Sequence, residues 1–176
     1  MSELDAEWKQ LLVEAEQRAQ LAGRGDVKDY LALRQINDEA RRTGTEWLLQ
    51  TFIRLAGEAN RNRAAGVIIE RDEAYRFQVG NATMVGTQLT FRSGGVRALR
   101  IAAGWPRAPG DGIVRGGGLA CAEINHFGAP KNTELLLLER PKERDELGWI
   151  IIVEERQARR AFSEESAQRH LAMLLA

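Results

Sequence analysis

The sequence predicts an α+β fold: an N-terminal helical region of about three helices, then a mainly antiparallel β-sheet or open barrel of about six to seven strands, closed by a C-terminal helix. Three observations carry this. Apolar residues recur every three or four positions through residues 1–65, which is the period of an amphipathic helix. After Gly66 they recur at every second position, the period of a half-buried strand. From Ser163 the helical spacing returns. No alternation of strand and helix is visible, so a parallel crossover fold is disfavoured. The expected regions are 1–65 and 66–176, folding as one cooperative unit.

In the first helix Leu4, Trp8, Leu11, Leu12, Ala15, Ala19 and Ala22 share one face, and Glu14 lies one turn before Arg18. Gly23-Arg24-Gly25 should end it. Asp26 can accept from the first amides of a second helix carrying Val27, Tyr30, Leu31 and Ala40. Thr43-Gly44-Thr45-Glu46 has the spacing of a capping box. A third helix would then present Trp47, Leu48, Phe52, Leu55, Ala56 and Ala59 as the broadest apolar stripe of the chain.

In the strand region Tyr75, Phe77 and Val79 alternate with Arg76 and Gln78, and Val85, Thr87, Leu89 and Phe91 with Gln88, Thr90 and Arg92. Gly80-Asn81 begins the turn between them. A second hairpin around residues 92–96, with a three-residue loop, would pair Leu89 with Leu99 and Gln88 with Arg100. The continuously apolar segments 135–138 and 149–153 suit strands covered on both sides, with 141–148 a solvated turn. Ser163 can cap the last helix, Phe162 can pack on Ala167, and Ala167, Leu171, Leu174 and Leu175 give that helix one apolar side.

Charge bounds the function. The 176 residues hold 25 basic and 25 acidic side chains, whereas a domain that binds polyanions by neutralising phosphates carries a basic excess. Nucleic acid is therefore disfavoured as a partner. The polar start of the chain and the lack of any apolar run near the roughly 18 residues of a membrane span give the expectation of a cytoplasmic protein with no membrane partner. A lone cysteine, Cys121, leaves no internal disulfide.

Three places could carry chemistry. The stretch 104–118 holds six glycines and two prolines, and connections of that length often serve a function. Its turns could cradle an anion, with Arg107, Asp111, Arg115, Gly116 and Gly117 as candidate ligand contacts; as a plain crossover it would instead tuck Trp105, Ile113 and Val114 inward. The dinucleotide and P-loop patterns are absent: Arg115 stands where a third glycine is needed, and no Lys-Ser/Thr follows. Secondly, residues 74–110 carry five arginines and no acid, and alternation sets Arg76, Arg92 and Arg100 on one polar face, a candidate anion surface. The aromatics fall on the other parity, so a base-stacking platform is not indicated.

Thirdly, Cys121, Glu123 and His126 are the one cluster of thiol, carboxylate and imidazole, the groups of nucleophilic and acid–base catalysis. Strand geometry sets Cys121 and Glu123 on one face and His126 on the other, which separates such a dyad. Metal ligation is not expected, with no paired cysteines and with His170 far along the chain, and no cofactor is implied. The leading expectation is a non-enzymatic binding or assembly module that binds a protein partner or self-associates as a homo-oligomer through the first helix. The alternative is a small-molecule ligand-binding protein or enzyme with a pocket under the 104–118 loop.

Overall fold

The computed structural model describes residues 3–23, 25–63, 66–94, 96–140, 147–153 and 158–176. Two compact units are present, Met1–Ala40 and Arg41–Ala176. The expected turn at 141–148 falls largely outside the described residues, as does Gly95 of the second hairpin; the side chains of Leu4 and Trp8 are likewise outside them.

The helical region is not three helices. Helix α1 spans Glu3–Leu21 and a single long helix, α2, spans Gly25–Arg63. The end of α1 is where glycine placed it, with Gly23 at φ +68° and its N–H donating to the Gln20 carbonyl. The expected break at Thr43-Gly44-Thr45-Glu46 does not occur, because Gly44 serves packing. A Cβ there would stand 2.6 Å from a methyl of Leu138, and the Gly44 carbonyl accepts the indole N–H of Trp149 at 2.8 Å. Thr45, read as part of a cap, is buried, and among the described residues its hydroxyl has no hydrogen-bond partner. The tertiary contact outweighs the roughly 1 kcal/mol that glycine costs inside a helix. Leu48, Leu49, Phe52, Leu55 and Ala56 form the buried stripe of α2, whereas Trp47 is 44% exposed.

Seven strands follow: β1 (Ile68–Val79), β2 (Ala82–Ser93), β3 (Arg97–Trp105), β4 (Ala120–His126), β5 (Glu134–Glu139), β6 (Gly148–Val153) and β7 (Ala158–Ala161). They form one antiparallel sheet in sequence order. Val79 opposes Ala82, leaving the two-residue turn Gly80-Asn81 in which Gly80 takes φ +60°, the left-handed geometry that tight hairpins require. The β2–β3 register is two residues away from the expected one: Leu89 opposes Ile101, Gln88 opposes Ala102, and Phe91 opposes Leu99. The last pair is Ser93 with Arg97, so three residues still separate the strands but they begin one position later than expected. A shift of two preserves parity, so Leu89, Leu99 and Ile101 still share the buried face.

That face, hereafter inner, receives α2 and the C-terminal helix α3 (Glu164–Leu175). Phe52 is central to it, with ring centroids 6.1 Å from Phe91 and 6.3 Å from Phe162. Phe162 and Ala167 are both buried at the start of α3, and the Ser163 N–H donates to Ser166 Oγ. The outer face carries a smaller apolar cluster of Phe77, Met84, Ala102, Val114, Cys121 and Leu137. Strand β5 is thus covered on both sides, as its unbroken apolar run implies. Among the described residues no helix is long and apolar enough to cross a membrane.

Candidate functional site

An irregularity in β1 between Asp72 and Tyr75 changes the arginine face. On one side of it Ile68 opposes Arg92; on the other Arg76 opposes Val85. Because Val85 and Arg92 differ by an odd number of positions, Arg76 stands on the opposite face from Arg92 and Arg100. The expected common face for these three arginines is corrected accordingly. Two of them also meet acids from outside the acid-free stretch. The Arg92 guanidinium donates to Glu70 at 3.3 Å, and that of Arg76 to Asp111 Oδ1 at 2.8 Å.

Asp111 organises the 104–118 loop from within. Its Oδ2 accepts the backbone N–H groups of Arg107 and Ala108, both at 3.0 Å. These two bonds, Ala108 first, together with the charge of Arg76, hold the Asp111 carboxyl below the usual carboxylate range. The Arg107 guanidinium lies 3.7 Å above the Trp105 ring. Trp105 and Val114 are buried, but Ile113 is 85% exposed, contrary to the inward placement expected for all three. Gly116 and Gly117 take φ +78° and +75° in a tight turn, and the side chain of Arg115 is outside the described residues.

Around β4 the strand alternation separates the third candidate cluster. Cys121 and Glu123 lie on the outer face and His126 on the inner, opposite Leu99. Burial pushes the Cys121 thiol up to about 11, so at neutral pH it is the thiol and not the nucleophilic thiolate. The imidazole of His126 is directed at α3. Its Nε2 is 2.9 Å from Nδ1 of His170, the rings stack with centroids 5.2 Å apart, and His170 Nε2 is 3.1 Å from Glu134 Oε2. Arg160 stands 3.6 Å from the other oxygen of Glu134. Both imidazoles are buried. His170 and Glu134 were missed from the sequence, although His170 follows Ala167 by three and precedes Leu174 by four, which is the spacing of the core-facing side of α3.

The carboxylate at one end sets the hydrogen-bond directions along this chain of side chains. With Nε2–H of His170 donating to Glu134, its Nδ1 accepts Nε2–H of His126. Protonating both rings would set two donors against each other across the 2.9 Å contact. Burial first, and the neighbouring His170 second, push the His126 pKa down, while Glu134 opposes them. Glu134 is itself held low, first by its bond from His170. Both shifts act in one direction. His126 favours the fold fully above its unfolded value of 6.5 and ceases to do so as pH falls below it; Glu134 does likewise below 4.5. The urea midpoint should therefore fall between pH 7.5 and 5. His126→Gln, whose amide can still donate to His170, should flatten that fall, and an unchanged slope would assign it to other groups.

Beside this chain, on the outer face, is a concavity of about 290 Å³ whose floor includes Ala102 and whose walls include Arg100, Glu123 and Gln88. None of its lining residues comes from 104–118. Among the described residues no group of three or more His, Cys, Asp or Glu could hold a metal ion. No family model matches the chain, and neither a curated protein nor a solved structure matches it.

Proposed function

We propose that the chain is a non-enzymatic assembly module that self-associates through its N-terminal helical unit. One observation supports this above the others: among the described side chains of Met1–Ala40, Ala40 alone is buried. Leu11, Val13, Leu21, Tyr30, Leu33 and Ile36 are each half exposed or more. A pair of helices with so little interior buries too little apolar surface to stabilise itself, and a second copy supplies what is missing. On α2, Tyr30, Leu33 and Ile36 are three residues apart, which keeps them within about a third of the helix circumference. Such a stripe can be matched by its own two-fold copy, as closed dimers require.

Electrostatics makes the proposal specific. Residues 1–40 hold 5 basic and 9 acidic side chains, net −4, and residues 41–176 hold 20 and 16, net +4. Two apposed N-terminal units repel each other, and salt screens that repulsion. Light scattering of the full chain should give the mass of a dimer at micromolar concentration, with a larger dimer fraction at 0.5 M than at 0.05 M salt, and monomer for Leu33→Glu/Ile36→Glu. A monomer throughout, or a dimer indifferent to these substitutions, overturns the reading.

A further inference from the structure

The outer-face concavity holds two opposite charges that the fold leaves unused. Arg100 opposes Asn125, and Glu123 opposes Ala102, so the arginine and the glutamate are diagonal neighbours on one face, roughly 7–8 Å apart in such geometry with their Cβ atoms somewhat closer. Among the described residues neither makes an ion pair or side-chain hydrogen bond, whereas Arg76 and Arg92 of the same basic stretch are paired with Asp111 and Glu70. The hollow between them has a sequence cause. Ala102 lies in one row between Gln88 on β2 and Glu123 on β4, and a methyl flanked by longer side chains leaves a dip. Tyr75 and the 62% exposed Phe127 also line it.

We infer that this concavity binds a free α-amino acid with an aromatic or large apolar side chain. Arg100 receives the carboxylate in a charge-assisted pair, Glu123 receives the ammonium, and the side chain lies against Tyr75 and Phe127. The volume of about 290 Å³ is at the small end for ligand sites and suits one amino acid, not a nucleotide-sized cofactor. A ligand of so few atoms, held on a partly open face, binds with a Kd on the order of 1 mM.

The test is a titration of the full-length ¹⁵N-labelled chain with L-phenylalanine, N-acetyl-L-phenylalanine and L-phenylalaninamide, read by amide shifts. The expected result is saturable shifts confined to residues near 75, 100–102 and 123–128, with at least tenfold weaker binding of both derivatives, one lacking the ammonium and the other the carboxylate. Arg100→Gln should abolish the preference over the amide, and Glu123→Gln the preference over the acetyl derivative. No saturable shift up to 20-fold above about 1 mM, or equal binding of all three compounds, overturns the inference. The comparison among compounds needs only the unaltered chain, so it stands even where a variant fails to fold. A stability double-mutant cycle that couples Arg100 to Glu123, in a chain that shifts with none of the compounds, would show that the two charges serve each other.

Discussion

Phe52→Ala should lower the unfolding free energy by about 3–5 kcal/mol, the range for removing a fully buried aromatic ring. Phe52 has no exposed surface, and its ring meets Phe91 on β2 and Phe162 at the entry to α3. One deletion thus leaves a void where the long helix, the sheet and the last helix converge. Since domains of this kind are stable by roughly 5–15 kcal/mol, urea denaturation should show a midpoint lowered by about a fifth or more with an unchanged slope. A loss under about 1.5 kcal/mol would mean that the three elements do not depend on this ring.

Gly86→Ala should cost about 3 kcal/mol or more, beyond the usual range for inserting one methyl into a packed site. Gly86 opposes Gly104 across β2 and β3. A Cβ on Gly86 would meet the Ala103 carbonyl oxygen and stand 2.6 Å from Gly104 Cα; a Cβ on Gly104 would stand 2.6 Å from the Val85 carbonyl oxygen. The obstructing atoms are backbone, so no rotamer change relieves them and the strands themselves must part. Gly110 provides the contrast: nothing lies within 4 Å of a Cβ built there, and its backbone is not left-handed. Gly110→Ala should therefore stay within about 0.5 kcal/mol. Thermal melts of the two variants side by side test the assignment, and equal effects would defeat it.

Local periodicity made much of this architecture legible. The antiparallel sheet, the Gly80-Asn81 turn and the C-terminal helix follow from alternation, glycine geometry and a capping serine, all encoded within a few residues of where they act. The misreadings have long-range causes. Gly44 looks like punctuation because its reasons, Leu138 and Trp149, lie about a hundred residues away. The β2–β3 register depends on which three residues make the connection, and the run Ser93-Gly94-Gly95-Val96 allows it to begin at either of two positions. Arg76 changed sides because an irregularity in β1 resets parity without any glycine or proline to mark it. The His126, His170 and Glu134 chain joins β4, α3 and β5, and no spacing rule links residues from three elements. Arg159 and Arg160 have no evident role in sequence, yet they reach Glu139 at 2.9 Å and Glu134 at 3.6 Å.

The sequence-order arrangement of the sheet bears on how the chain acquires its fold. Every strand pairs only with its immediate neighbours in the chain, so each pairing closes a short segment and incurs little loop entropy. Relative contact order is correspondingly low for a seven-stranded protein, and low contact order accompanies fast folding. Hairpins can add one at a time as the polypeptide emerges during synthesis. The non-local steps are the docking of α2 and of α3 onto the inner face. Until then the inner face of the growing sheet stands uncovered, and that interval is when the chain is most prone to aggregate.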